Sequence, residues 1–322
     1  NRQGRSTLYL FSVLMQKLLR IWCIGAGILL LAEIAIRISS MPRIETQEEM
    51  LVSYQRAKIA KIEDGAILLV GDSSLGNGVS SKILSQKLGG SVWNLALTAS
   101  HNTYGDYIVV REVARSLEDV QGVVIFHTPG MWDSDRVADT EQTLNTAFGT
   151  NNLQGLSNRL FHHSALVNFS ATFRRLLVFV MRDGFNLDRL AQRLALLDEV
   201  RERLPEVDYI VQQGILDRDA YVPVAVREFT PTPYVEKWLD ETLAICVDAG
   251  WPVWLAVGPV PVAQAEISQQ SLQAMLNWLR FKAEAHPQCN LLYDHVPTAA
   301  IADFGDGTSH LSPDAKISFS HW

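Results

Sequence analysis

Two places in this sequence hold residues suited to nucleophilic chemistry. The first is the stretch Ala66-Ile-Leu-Leu-Val-Gly-Asp-Ser-Ser-Leu-Gly-Asn-Gly-Val79. A short apolar run stops at Gly71-Asp72-Ser73, and a helical pattern from Val79 to Leu88 follows, ending at Gly89-Gly90. A strand, a tight turn and a helix expose a serine hydroxyl at the carboxyl end of the strand. The next backbone N–H groups then face the same point, where they can stabilise an oxyanion. Gly71 permits an unusual backbone angle, and Asp72 is expected to bond local N–H groups. The spacing is not the Gly-x-Ser-x-Gly elbow of the α/β-hydrolases.

The second place is Phe304-Gly-Asp-Gly-Thr-Ser-His-Leu-Ser-Pro313, where Asp306 stands four residues before His310. An imidazole that takes a hydroxyl proton, oriented by a carboxylate, is what Ser73 needs to become a nucleophile. Asp303 is the fallback carboxylate. An early Gly-Asp-Ser turn and a late Asp–His pair in an α/β chain resemble the GDSL/SGNH hydrolase superfamily. The resemblance covers roughly residues 66–135 and 235–315. It implies a catalytic set of Ser73, His310 and Asp306. The Asp-x-x-x-His spacing is one residue longer than the family's usual Asp-x-x-His, and Gly305 and Gly307 give the loop room for a bulge.

In that family the loop after the second strand supplies an oxyanion-hole glycine. Ala99 stands there in Val92-Trp-Asn-Leu-Ala-Leu-Thr-Ala99, and its N–H can serve the same purpose. The family's Gly-x-Asn-Asp after the third strand is replaced by His127-Thr-Pro-Gly-Met-Trp-Asp133, so its Asn donor is missing. Asn94, Asn102 and Thr128 are the candidate substitutes, with Asn102 placed first, and Asp72 is grouped with Ala99 and Asn102 on the oxyanion and substrate side. His127 is expected to be an ordinary loop histidine bonded to backbone. A missing Asn, together with an N-terminal apolar segment, resembles the envelope acyltransfer members, such as the D-alanyl transfer protein of teichoic-acid modification and the alginate O-acetyltransferases. That likeness implies an extracytoplasmic O-acyltransferase acting through an acyl-serine. Its donor would be a multi-pass membrane O-acyltransferase and its acceptor an envelope glycan. A tethered esterase or deacetylase and a non-catalytic subunit of a membrane acylation complex are the alternatives.

The elements that must position these residues form a β-α-β-α-β alternation. Strands are expected at 66–70, 91–97 and 120–126, with a helix over 107–117. The pattern returns after residue 230 with a helix over 233–249, a strand over 251–257, a helix over 267–284 and a short strand at 290–294. This implies a doubly wound parallel α/β sheet, three-layered and flavodoxin-like, whose sites gather at the carboxyl ends of its strands. Ser73, the 98–102 loop and the 127–133 loop therefore share one rim, to which the loop carrying His310 returns. The chain stops at Trp322, so the fold's usual closing helix is expected to be missing. Residues 134–230 read as a helical insertion, with 186–204 its clearest amphipathic element.

The 322 residues are 48% hydrophobic and 20% charged, enough for a sizeable core. Net charge is −7, and residues 1–20 contribute Arg2, Arg5, Lys17 and Arg20 with no acid. The remainder, with 24 basic and 35 acidic residues, is at −11, which argues against a nucleic-acid partner. Ile21 to Ala32 is apolar or Gly throughout and resumes after Glu33 as far as Ile38, about the length that crosses a bilayer. Residues 1–40 are thus expected to be a single-pass membrane anchor. Preceding basic residues put the N-terminus in the cytoplasm and the catalytic domain, 65–322, on the periplasmic or extracellular side. Residues 41–64 read as a juxtamembrane spacer. No zinc spacing or phosphate loop is present, so no metal or cofactor is expected, and His162-His163 point apart. Cys246 and Cys289, on the oxidising side, are available to pair.

Overall fold

The computed structural model describes residues 47–135, 141, 144, 145, 148, 208, 209, 221–305 and 308–321. All belong to one compact unit. The expected anchor at 1–40, Asp306, His162-His163 and the 186–204 helix lie outside the described residues. Among the described residues no helix is long and apolar enough to cross a membrane.

Among the described residues, five parallel strands form the central sheet: β1 (Ala66–Gly71), β2 (Val92–Asn94), β3 (Val120–His127), β4 (Val253–Val257) and, further on, β6 (Cys289–Leu291). Their spatial order is β2-β1-β3-β4-β6, and β5 (Val260–Pro261) pairs separately with β7 (Thr298–Ala299). The short apolar runs are explained by burial on both faces. Along β1 the side chains alternate, Ala66, Leu68 and Val70 entering the larger core and Ile67 and Leu69 the smaller one. The ladder continues beyond β2, since Leu95 N–H donates to Leu69 and Leu97 N–H to Gly71.

Helices among the described residues cover the sheet and its ends: α1 (Gln47–Ile59), α2 (Ser73–Gly78), α3 (Ser81–Leu88), α4 (Asn102–Ala114), α5 (Pro233–Asp248), α6 (Val262–Ile267), α7 (Gln269–Glu284) and α8 (Pro313–His321). Residues of α4, α5 and α7 build the larger core with Val110, Leu243 and Leu279 among them, while Leu75 of α2, Leu84 of α3 and Phe319 of α8 pack into the smaller one. In this strand order the crevice at the carboxyl ends of β1 and β3 is the topological switch point, where the connections leave in opposite directions.

Two expectations change here. Residues 47–59 are more than a spacer. Leu51, Val52 and Ile59 of α1 join the core, Gln55 donates to Ala96 O at 2.6 Å, and Lys58 Nζ donates to Asn94 O at 2.8 Å. And a closing helix is present as α8, which Ser312 and Pro313 start. Pro suits the first helical position, and Ser312 Oγ accepts from Ala315 N–H. Cys246 and Cys289 are both buried free thiols.

Candidate active site

The turn after β1 is set by contacts that only glycine and aspartate allow. A Cβ on Gly71 would lie 1.8 Å from the Phe126 carbonyl oxygen, so β1 and β3 approach too closely there for any side chain. Asp72 then caps α2, Oδ1 accepting from Ser74 N–H at 2.8 Å and from the Ser74 hydroxyl. Its Oδ2 accepts from Thr128 N–H at 3.0 Å and Thr128 Oγ1 at 3.1 Å, which ties the turn to the end of β3. The cap takes up the Ser74 N–H rather than that of Ser73. Between Leu68 and Val79 every residue is buried except Ser73. One hydroxyl therefore emerges from an otherwise sealed segment.

His310 arrives from a closed loop. Phe304 and Leu311, both buried, form an antiparallel bridge. Gly305 N–H donates to His310 O at 2.7 Å, and Ser312 N–H to Asp303 O at 2.7 Å. Leu311 faces Gly78 at the end of α2, and Lys316 Nζ of α8 donates to Gly76 O at 2.8 Å, so the loop is fastened to the helix that carries the serine. The outcome is a His310 Nε2 to Ser73 Oγ distance of 2.8 Å. Both residues are half-buried. With Nε2 as acceptor, the ring hydrogen sits on Nδ1, the arrangement a general base requires.

The remaining expected residues are placed as follows. Asp306 lies outside the described residues. Asp303, the fallback carboxylate, accepts from Ala300 N–H at 3.1 Å and so serves its own turn. Asp72, 1% exposed, offers nothing to a substrate; it is a cap and a strut, because burial leaves it only internal donors. Ala99, half-buried, opens a 3-10 turn, Ala99–His101, in the loop that leaves the β1–β2 ladder. Asn102 is buried at φ 46°, its Nδ2 donating to Ser134 O at 2.7 Å and its Oδ1 accepting from Thr103 N–H. That amide holds the start of α4 to the segment after β3. Asn94 bridges to Leu75 O and Val79 O, and Thr128 is committed to Asp72.

His127 differs from expectation. It is the last residue of β3, 1% exposed, with Nε2 2.5 Å from Asp106 Oδ2 and Nδ1 3.6 Å from Asp72 Oδ2. An apolar strand ending in histidine was the signal for burial, and a buried imidazole needs a hydrogen-bond partner. Asp106, 21 residues away, gave no local hint. Among the described residues no three His, Cys, Asp or Glu side chains group as a metal site.

Tyr209 and Asp208 bring a piece of the insertion onto the same rim. The Tyr209 ring fills the space a Cβ on Gly76 would take, and its hydroxyl donates to Leu97 O at 3.3 Å. Asp208 accepts from Ser81 N–H at 3.0 Å and pairs with Lys316 at 3.1 Å. Compared with known proteins, the chain matches no family model and no curated protein at a significant level.

Proposed function

We propose that this chain is a serine acyltransferase of the GDSL/SGNH type, anchored by residues 1–40 and working outside the cytoplasmic membrane on an envelope glycan. The observation that carries this reading is the 2.8 Å contact between His310 Nε2 and Ser73 Oγ at the switch point of a parallel sheet.

His310 Nε2 takes the Ser73 proton as Oγ attacks the acyl carbonyl carbon, and Asp306 steadies the imidazolium. The carbonyl electron pair moves to oxygen, where the Ser73 and Ala99 N–H groups are the proposed donors; one such donor is worth roughly 10²–10³ in rate. The oxyanion collapses, the bond to the leaving group breaks, and His310 returns the proton to that group. An acceptor hydroxyl then loses its proton to His310, attacks the acyl-serine and regenerates the Ser73 hydroxyl. A partner embedded in the membrane is the proposed acyl donor, since acyl-CoA is cytoplasmic.

The test is mass spectrometry of the full chain, wild type and Ser73→Ala, after exposure to a fluorophosphonate and to p-nitrophenyl acetate. The reading expects an adduct on Ser73 and an acyl-enzyme that a glycan hydroxyl discharges. Equal labelling of Ser73→Ala, or no adduct on the wild type, refutes it. Rapid p-nitrophenol release with no acceptor points to a tethered esterase instead.

A further inference from the structure

Behind Ser73 lies a second polar assembly that the acyl-transfer steps do not use. Asp106 of α4, His127 of β3 and Asp72 of the β1–α2 turn are each at most 3% exposed, and they meet in one buried row. Asp106 Oδ2 is 2.5 Å from His127 Nε2, and His127 Nδ1 is 3.6 Å from Asp72 Oδ2. Beyond that, Asp72 receives the N–H and hydroxyl groups of Ser74 on one oxygen and of Thr128 on the other. Ser73 stands between the two residues so held, Asp72 and Ser74, with its own hydroxyl turned to His310.

Two carboxylates in one buried row are unfavourable when both are ionised, unless a cation lies between them. The groups that face this row are the edge-on ring of Trp132, at 4.9 Å from His127, the Tyr209 phenol near Asp72, and the two carboxylates themselves. Neither ring is cationic, so the imidazole is the compensating charge. We infer that His127, clamped by Asp106, is a permanently protonated positioning residue that holds the Asp72 carboxylate in place behind the nucleophile. This rests on the acyl-transfer reading of Ser73 and assigns a use to two residues outside it.

The ionisation of the row agrees with the geometry. Burial pushes His127 down, but Asp106 and Asp72 outweigh it and hold the ring at about 10. Burial likewise pushes Asp72 up, and His127 with the Ser74 and Thr128 donors overcomes this and keeps it at about 2. Asp106 is raised by its burial. The two histidines at this rim thus do opposite jobs. His310 must lose and regain a proton each turnover, whereas His127 must not.

Fluorophosphonate labelling rates of the full chain, measured from pH 5 to 10 for wild type, His127→Gln and Asp106→Asn, test this. His127→Gln removes the cation, so labelling should slow about 100-fold, the scale of a roughly 1 Å misplacement. The uncompensated Asp72 charge should also move the acid limb of the rate profile to higher pH. Asp106→Asn keeps an acceptor for Nε2 but weakens the hold on the proton, so labelling should be near normal at pH 6 and fall at alkaline pH earlier than in wild type. Nitrogen NMR of the wild-type His127 ring, which needs no variant to fold, should show an imidazolium across pH 5 to 9. A neutral ring at pH 7, a wild-type profile in Asp106→Asn, or unslowed labelling of a folded His127→Gln overturns the inference alone. A wild type that never labels overturns the reading beneath it, and the inference with it.

Discussion

His310 Nε2 meets Ser73 Oγ at 2.8 Å across 237 positions of sequence. Each side is held by its own local device. Ser73 is presented by the Asp72 cap and the close β1–β3 approach, and His310 by the bridge between Phe304 and Leu311. The two devices are then joined through α8, whose Lys316 reaches Gly76 and whose Ser320 accepts from Ser80 N–H at 2.8 Å. The meeting is therefore over-determined, as the proposed acyl transfer requires, since small misplacements cost large factors in rate.

Groups that act as one unit are strongly non-additive when removed. Ser73→Ala and His310→Ala should each lower the acylation rate by several orders of magnitude, and the double variant should be no worse than about the poorer single one. Rates of p-nitrophenyl acetate turnover under single-turnover conditions measure this. Multiplying losses would mean that the two side chains serve separate steps and that their contact is incidental.

Asp303 and Asp306, the two carboxylates shortly before His310 in sequence, should separate cleanly. Asp303 caps the turn at Ala300, so Asp303→Ala should cost about 1 kcal/mol in a urea melt and change turnover only a few-fold. Asp303→Asn keeps an acceptor and should be close to wild type in both. Asp306→Asn should instead lower kcat by about 10²–10⁴, because in the proposed mechanism Asp306 is the carboxylate that steadies the ring. A large kcat loss in Asp303→Asn would exchange the two assignments.

The legible parts of this chain are those where one physical demand governs a contiguous stretch. A strand covered on both faces must be apolar, so β1, β3 and β4 could be read directly, and with them the parallel sheet and the rim. What escaped reading depends on distant partners. Ser73–Gly78 contains two glycines and no strong helix former except Leu75, yet it is helical because Asp72 caps it and burial holds it. In α1 the buried Gln55 and Lys58 interrupt the apolar stripe, so the helix looked like a spacer. Their acceptors, the carbonyls of Ala96 and Asn94, lie some 40 residues on. His127 and Asp106 are another such pair. The Asn102 amide looked like a substrate donor because Ser134, its actual acceptor, sits beyond the next strand.

Gly71→Ala tests the β1–β3 approach. The added methyl would sit 1.8 Å from a backbone oxygen, and neither strand can yield without breaking the ladder between Leu69–Val124 and Gly71–Phe126. The expected result is a loss of more than about 3 kcal/mol in chemical denaturation, at the severe end for a single substitution. Ser73 labelling should be lost in any fraction that remains folded. Gly130→Ala, where an added methyl meets nothing, is the matched control and should be nearly neutral. Similar midpoints for both variants would mean that the strands are free to separate at this turn.

Lys58 gives a pH dependence of known sign. Its ammonium is buried at the carboxyl end of β2, donating at 2.8 Å to Asn94 O and to Asp208 O. Burial, helped by the nearby Lys316 charge, pushes its pKa down to about 7, and Asp208 works the other way. In the unfolded chain the amine stays protonated up to about 10.4. Between these values the unfolded state binds the extra proton, so stability contributed by Lys58 should rise as pH climbs from about 7 to about 10, and be flat below 7. Lys58→Met removes that proton and leaves two carbonyls without their donor, at a cost of about 1–3 kcal/mol. The gap in unfolding free energy between wild type and Lys58→Met, measured in urea at pH 6, 8 and 9.5, should therefore widen with pH. A gap that stays flat over that range would mean that Lys58 is held charged in the fold, with its pKa no lower than that of the unfolded chain.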